Sequence, residues 1–189
     1  MRITGGEARG RPLRVPKAPG VRPTPDRVRE ALFSKLAPWL PGARVVDLFA
    51  GSGALGIEAL SRGAAEVVFV DHDPRSAAVL AGNLRDLGYA DRARILREDV
   101  FRAAPNTIGQ AGVDLVFADP PYDRAVAPRV VEAVAPHLRP GAWLIIEHSA
   151  REELPDEVPG APGCRRVDRR RYGDTAVSYY RRVIEEGPA

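Results

Sequence analysis

The segment from residue 45 to residue 56 constrains the fold more than any other stretch of this sequence. It reads Val-Val-Asp-Leu-Phe-Ala-Gly-Ser-Gly-Ala-Leu-Gly, an apolar run with a carboxylate at Asp47 and then three glycines spaced G-x-G-x-x-G. This order is typical of a buried strand, a tight turn and the start of a helix. Gly51 and Gly53 let a ligand approach the backbone, where the N–H groups of the helix start are available. The segment therefore predicts a nucleotide-type ligand site in an α/β fold.

A second motif decides which ligand chemistry fits, because dinucleotide-binding dehydrogenases also carry a glycine-rich turn. Asp119-Pro120-Pro121-Tyr122 follows the apolar run 113–118. The Asp119 carboxylate and the Pro120 carbonyl can accept both hydrogens of an exocyclic base amine, and Tyr122 offers a ring on which an extruded base can stack. A dehydrogenase that transfers hydride does not require the Asp-Pro-Pro-Tyr motif. Together the two motifs resemble an S-adenosylmethionine-dependent methyltransferase that acts on an exocyclic amine.

Several carboxylates fall where such a fold binds its cofactor, beyond the carboxyl ends of the predicted strands. Asp71 lies about 20 residues after the glycine turn, the spacing expected of a side chain that accepts hydrogen bonds from both ribose hydroxyls. Asp47 is positioned to meet the cationic amino group of the methionine portion. Asp99 has two open interpretations, a contact to the adenine amino group or a helix cap, whereas Asp73 before Pro74 is better explained as a cap. The glycine turn completes the expected cofactor contacts with Ala50, Gly51, Ser52 and Gly53.

Composition excludes several other classes of protein. The 189 residues suit one domain, and a single cysteine with three histidines can build neither a disulfide framework nor a zinc cluster, so no metal is expected. No apolar stretch reaches the roughly 20 residues of a membrane span, and the N-terminus lacks a secretory signal. The sequence therefore predicts a soluble, cytoplasmic protein without a membrane partner. We also expect a monomer, because no apolar surface stripe stands out.

The positive charge is concentrated near the N-terminus. The net charge is +3, but residues 1–22 hold six basic side chains against Glu7 alone. Short strand candidates at 2–4 and 12–15 flank a turn-rich segment, which predicts a β-hairpin that presents arginines. A phosphate-bearing partner and a merely solvated tail both remain open from charge alone. The expected RNA contacts are Arg2, Arg9, Arg11, Arg14 and Arg22, in an arm and connector spanning residues 1–24.

From residue 25 onward, the pattern predicts a methyltransferase domain reaching residue 189. A helix begins after a Thr24 cap and ends before Pro38 or Pro41. Strands then alternate with helices, which is typical of a doubly wound parallel sheet. The predicted strands are 44–48, 66–70, 93–97, 113–118 and 142–147, followed by an antiparallel pair at 164–170 and 175–183. Further helices are predicted at 54–62, 75–87 and 127–138, and residues 151–163 are predicted to be loop.

Motifs along nearly the whole chain make the resemblance narrower. Beyond the two central motifs, they are Gly5-Gly6, Arg9 to Leu13, Arg22-Pro23-Thr24, Asp26 to Glu30, Leu32-Phe33 and Tyr172-Gly173-Asp174-Thr175. This set resembles the bacterial RsmD family of 16S ribosomal RNA guanine-N2 methyltransferases. The resemblance implies a Rossmann-like class I methyltransferase fold with a seven-stranded, mostly parallel sheet, and S-adenosylmethionine as cofactor. By the same resemblance, Asp119, Pro120 and Tyr122 hold the target base, and the arm grips 16S RNA in the small subunit or its assembly intermediate.

Two alternative functions remain open at this point. The same Asp-Pro-Pro-Tyr element would serve adenine-N6 methylation of DNA, although the chain has no separate domain for reading base edges. A non-catalytic RNA-binding protein with a methyltransferase fold is the other alternative, and the intact motifs speak against it. The choice of guanine N2 over adenine N6 depends on the family resemblance alone.

Overall fold

A seven-stranded sheet forms the centre of the molecule in the computed structural model, which describes residues 1–16, 26–110, 112–122 and 126–183. Its strand order is β3-β2-β1-β4-β5-β7-β6. The first five strands are parallel, and β7 runs antiparallel to both of its neighbours. The strands are β1 (Arg44–Leu48), β2 (Glu66–Val70), β3 (Ala93–Leu96), β4 (Leu115–Ala118), β5 (Trp143–Ser149), β6 (Cys164–Tyr172) and β7 (Thr175–Arg182).

Helices cover both faces of the sheet, as a doubly wound fold requires. They are α1 (Asp26–Leu36), α2 (Ala54–Ser61), α3 (Pro74–Leu87), α4 (Val100–Gln110) and α5 (Val126–Val134), with short 3-10 turns at Ala37–Trp39, Ala90–Arg92 and Ala135–His137. One apolar core lies between the sheet and α1, α2 and α3. A second core lies between the opposite face and α4 and α5. Residues of β5 alternate between the two cores, Ile145 in the first and Ile146 in the second, because neighbouring side chains of a strand point to opposite faces.

The predicted strands and three of the later helices are confirmed, with ends that shift by a few residues. The first helix is also confirmed from Asp26, while its predicted Thr24 cap lies outside the described residues. One element is a correction: no helix range was predicted between β3 and β4, where the sequence offered only a possible cap at Asp99, yet α4 occupies Val100–Gln110. Pro105 lies inside this helix, where a proline removes one backbone hydrogen bond. Pro105 therefore argues against a helix in the sequence, although packing against the sheet stabilises one.

The N-terminal residues form a small hairpin that is packed on the body. Arg2 and Pro12 form an isolated antiparallel bridge, so the two predicted strands are represented by a single bridged pair of residues. Thr4 donates from its backbone and its hydroxyl to the buried Glu58 of α2. Ile3 and Leu13 are buried in the core that also contains residues of α1, α2 and α3. The hairpin is therefore held by hydrogen bonds and by apolar burial, and its arginines extend from that base.

No helix among the described residues is both long enough and apolar enough to cross a membrane.

Candidate active site

The strand order reverses between β1 and β4, and the two sequence motifs meet there. In parallel sheets the loops that follow the carboxyl ends of the strands surround a crevice at such a reversal. One row of paired residues crosses β1, β4 and β5 at Leu48, Ala118 and Ile146. Asp47 precedes this row by one residue, whereas Asp119 and Glu147 follow it by one. Because alternate residues share a face, these three carboxylates lie on the same face of the sheet at its carboxyl edge.

The glycine turn after β1 has an unusual backbone. Gly51 has a φ of 54°, Gly53 has a φ of 81°, and Phe49 adopts a φ of 58°, which a residue with a side chain rarely does. A Cβ at Gly51 would meet only the carbonyl of Phe49 at 3.9 Å, so a ligand can approach the backbone there. A Cβ at Gly53 would lie 2.3 Å from the Leu80 side chain. Gly53 is thus required for packing of the turn against α3, a reason different from the ligand approach that the sequence suggested.

Asp71 connects the glycine turn to the end of β2. One of its carboxylate oxygens accepts the backbone N–H of Gly51, and the other accepts that of Asp73, both at 2.8 Å. Asp73 caps α3 as predicted, through the N–H groups of Arg75 and Ser76. Asp71 thereby stiffens the turn while its carboxylate, which has about four acceptor positions, keeps capacity for further donors.

Asp99 is exposed and stands just before α4. Its side chain accepts the backbone N–H of Arg102 at 3.2 Å, which is the helix-cap interpretation. Only one carboxylate oxygen is used in this bond. A contact from Asp99 to an adenine amino group therefore stays a prediction, compatible with the cap.

Asp47 has a structural partner that the sequence did not reveal. Its carboxylate accepts the backbone N–H of Gly56, in the first turn of α2, at 2.8 Å. The side chain is buried, and this desolvation is the main cause that raises the pKa of Asp47 to about 8. The bond to Gly56 opposes that rise, and the negative charge of Asp71 adds to it. A cation brought to this site would stabilise the ionised form of Asp47.

The carboxyl group of Asp119 is enclosed, although part of the residue remains accessible. Desolvation is the main cause that raises the pKa of Asp119 well above its ordinary range, and the charges of Glu147 and Asp47 raise it further. Such a group can accept a proton near neutral pH, which an ordinary aspartate does poorly.

Tyr122 links the Asp-Pro-Pro-Tyr element to two more strands. Its hydroxyl donates to Glu147 Oε1 at 2.5 Å and lies 3.1 Å from the Thr175 hydroxyl. The residue is nearly half exposed, at 48%. Burial, followed by the charge of Glu147, raises the pKa of Tyr122. The site therefore combines the loop after β4, the end of β5 and the start of β7.

Sequence reasoning missed Glu147 as a site residue. The available signal was a carboxylate near the end of the buried strand β5, which neighbours β4 in the sheet. Thr175 belongs to the motif Tyr172-Gly173-Asp174-Thr175, and the antiparallel pairing of β7 with β5 brings it to Tyr122.

Comparison with known proteins assigns the chain to a family. A family model described as "Conserved hypothetical protein 95" matches residues 1–181. Ribosomal RNA small subunit methyltransferase D of Escherichia coli is 38% identical over 190 residues, covering 98% of this chain and 91% of that protein. YlbH of Bacillus subtilis, named as a candidate rRNA methyltransferase, is 34% identical over 185 residues, covering 96% of this chain and 99% of its own.

The chain belongs to the RsmD family. A solved structure supports the same assignment: yhhF of Escherichia coli, titled as a candidate methyltransferase, superposes on the RsmD-family chain with a TM-score of 0.79. It is 34% identical, and the match covers 98% of this chain and 99% of that one. The fold is accordingly the Rossmann-like class I methyltransferase fold that the sequence predicted, with a seven-stranded and mostly parallel sheet.

The arginines that the sequence assigned to RNA lie on one part of this RsmD-family chain. Arg2 donates to the Gly10 carbonyl within the hairpin, and Arg9 is exposed on the turn. Arg11 donates to the Asp86 carbonyl at 2.5 Å, and Arg14 pairs with the Asp86 carboxylate at 2.5 Å. These four side chains surround the hairpin and the end of α3. Arg22 lies outside the described residues.

Proposed function

We propose that this protein transfers a methyl group from S-adenosylmethionine to the exocyclic N2 of a specific guanine in 16S ribosomal RNA of the small subunit. The observation that carries the proposal is the position of Asp119-Pro120-Pro121-Tyr122, which leaves β4 beside the glycine turn of β1 at the reversal of strand order. The names of the E. coli and B. subtilis relatives, both rRNA methyltransferases, support the substrate class. The choice of guanine N2 is our proposal.

The residues around the glycine turn fit S-adenosylmethionine. Gly51 offers open backbone, and Asp71 lies beside it for the ribose hydroxyls. Asp47 is a buried carboxylate whose pKa burial raises, and the ammonium group of the methionine portion beside it would favour the ionised form. When bound, this cofactor supplies an electrophilic methyl group on a positively charged sulfur. We assign Asp47, Asp71, Asp99 and the turn Ala50 to Gly53 to its binding.

The Asp-Pro-Pro-Tyr element performs the chemistry by positioning and by proton acceptance. Asp119 and the Pro120 carbonyl hold the two hydrogens of the base amine, and Tyr122 stacks on the base. The amine nitrogen forms a bond to the methyl carbon as the carbon–sulfur bond breaks, and it then gives up one proton. Asp119, whose pKa is raised, is the group that we propose receives this proton.

The hairpin supplies a basic surface for the RNA. We propose that residues 1–24 bind RNA through Arg2, Arg9, Arg11, Arg14 and Arg22, and that residues 25–189 form the methyltransferase domain. Lysine and arginine contacts to phosphates provide most of the sequence-independent affinity for nucleic acids. We further propose that the protein acts as a monomer in the cytoplasm, on the small subunit or an assembly intermediate.

The decisive experiment is radiolabelled methyl transfer to small-subunit particles from cells that lack this protein, followed by nucleoside analysis of the RNA. We expect label in N2-methylguanosine of 16S RNA. Asp119→Asn should lower the rate by about 100-fold or more, because it removes both the proton acceptor and one hydrogen-bond acceptor. Asp91→Asn, the same change at an exposed position outside the site, should leave the rate unchanged.

The other outcomes separate the alternatives. Label in N6-methyladenine would move the substrate to the adenine alternative. Binding of S-adenosylmethionine with no transfer to any RNA or DNA would favour the non-catalytic RNA-binding alternative.

A further inference from the structure

Glu147 places a second carboxylate next to Asp119 in the proposed base site. Each of these two residues directly follows a member of the pair Ala118 and Ile146, which joins the neighbouring parallel strands β4 and β5. Glu147 is only 5% exposed, and the hydroxyl of Tyr122 donates to its Oε1 at 2.5 Å. The carboxylate therefore faces the same element that is proposed to hold the base, and it receives a donor from that side.

The two purines differ at this edge of the ring. Next to its exocyclic amine, guanine presents the N1–H donor, whereas adenine presents the N1 lone pair, an acceptor. Ionised carboxylates accept hydrogen bonds and donate none. When both are ionised, a pair of neighbouring carboxylates thus suits the donor–donor edge of guanine, and it would leave the adenine acceptor facing a negative charge without a partner.

We propose that Glu147 is a specificity-determining residue that accepts the N1–H of the target guanine while Asp119 holds its N2 amine. This inference depends on the methyltransferase function proposed above and names the group that selects its base. The inference also gives a physical reason for guanine N2 over adenine N6, which family membership alone does not supply.

Tyr122 does not compete with this role. A carboxylate has about four acceptor positions, and the hydroxyl of Tyr122 occupies one of those on Glu147. The hydroxyl is also close to Thr175 of β7, which fixes the ring from the other side. Tyr122 and Glu147 would then define the face and the edge of the bound base respectively.

The wild-type protein provides the first test, and it needs no variant. Once the methylated guanine has been located, small-subunit particles are reconstituted with 2-aminopurine at that position. This base keeps the exocyclic amine on C2 but carries a lone pair at N1 in place of N1–H. We expect kcat/KM for 2-aminopurine to be about 10- to 100-fold lower than for guanine. Equal values for the two bases would overturn the proposal.

Glu147→Gln provides the second test, because the glutamine amide can donate to the N1 lone pair. We expect this variant to lose rate on guanine and to reduce or reverse the preference over 2-aminopurine. Glu153→Gln makes the same chemical change at an exposed loop position, and its preference should equal that of the wild type. A Glu147→Gln protein that binds S-adenosylhomocysteine normally but keeps the wild-type preference would also overturn the proposal.

These tests distinguish the inference from the function on which it depends. If wild-type protein forms N2-methylguanosine but treats 2-aminopurine equally, only the role of Glu147 is wrong. If no N2-methylguanosine forms on the guanine particles, the proposed function fails, and the inference fails with it.

Discussion

The proton affinity of Asp119 depends on two neighbouring acidic side chains, Glu147 and Asp47, as well as on its own burial. Burial of its carboxyl is the main cause of the raised pKa, and Glu147 contributes the next largest effect. At the residue scale, the proposed role of Asp119 therefore depends on carboxylates that approach it from β1 and β5 as well as on the loop that carries it.

The raised pKa of Asp119 predicts a pH dependence. A protonated Asp119 cannot receive the proton of the amine. The value of kcat/KM should therefore rise as the pH increases through the raised pKa of Asp119. Glu147→Gln removes a negative neighbour, which lowers the pKa of Asp119 and should move the acid limb of the profile to lower pH. The measurement is kcat/KM for methyl transfer across the pH range in which the particles remain intact.

Tyr122→Phe is the matched control for that shift. It removes the hydroxyl that contacts Glu147 and keeps the negative charge, so the acid limb should not move to lower pH. An acid limb at the same pH in wild type and Glu147→Gln would show that Glu147 does not influence the titration of Asp119.

Asp47 predicts proton release on cofactor binding. Its pKa of about 8 means that most of this carboxyl is protonated at pH 6.5 in the free protein. The ammonium group of S-adenosylhomocysteine favours the ionised form, so binding should release part of a proton. Calorimetric titration in buffers of different ionisation enthalpy measures this release. Asp47→Asn should abolish it, and heats that are equal across buffers for the wild type would refute the assignment.

At the scale of elements, Asn83 of α3 joins the hairpin to the glycine turn. Its side-chain amide donates to the carbonyls of Ser52 and Arg14, and its oxygen accepts the backbone N–H of Arg14. The side chain is only 2% exposed, so these bonds are protected from water. Asn83, which no sequence motif indicated, therefore stabilises the glycine turn through its bond to the Ser52 carbonyl.

Asn83→Ala should weaken both stability and cofactor binding. Leaving buried backbone groups without partners costs about 1–3 kcal/mol, and we expect the free energy of unfolding in urea to fall by that amount. The dissociation constant for S-adenosylhomocysteine should rise, because the Ser52 backbone loses its support. Asn106→Ala, on the exposed side of α4, is the control and should change neither quantity. An unchanged midpoint for Asn83→Ala would exclude this role.

The elements also show what the sequence could and could not predict. Strands such as Arg44–Leu48 were predicted to the residue, because apolar runs bounded by glycine and proline identify buried parallel strands. Helix α4 was missed because Pro105 contradicts a helix locally, and only tertiary packing resolves that conflict. The packing of Gly53 against Leu80 and the contact of Glu147 with Tyr122 could not be predicted, since each pair is more than 20 residues apart in sequence.

On the scale of the whole molecule, the hairpin is both part of the core and the proposed RNA surface. Ile3 and Leu13 are buried, while Arg9 points outward from the turn between them. Substituting Arg9 should therefore affect the proposed RNA binding, whereas substituting Ile3 or Leu13 should affect stability.

Arg9→Ala should weaken RNA binding without destabilising the fold. Removing one phosphate contact should reduce the slope of log K against log salt by about 1. The measurement is binding of small-subunit RNA over a series of salt concentrations, with thermal unfolding as the check on stability. Arg44→Ala, at the amino end of the internal strand β1, should keep the wild-type slope. An Arg9→Ala slope equal to that of the wild type would remove Arg9 from the RNA surface.

The position of β7 between β5 and β6 has a consequence for the order of events during synthesis. This strand is translated last of the seven, yet it is inserted inside the sheet and brings Thr175 to Tyr122. A nascent chain that already carries both the glycine turn and the Asp-Pro-Pro-Tyr element would still have β5 unpaired on one side. The proposed base site is therefore completed only after β7 has been translated and has paired with β5.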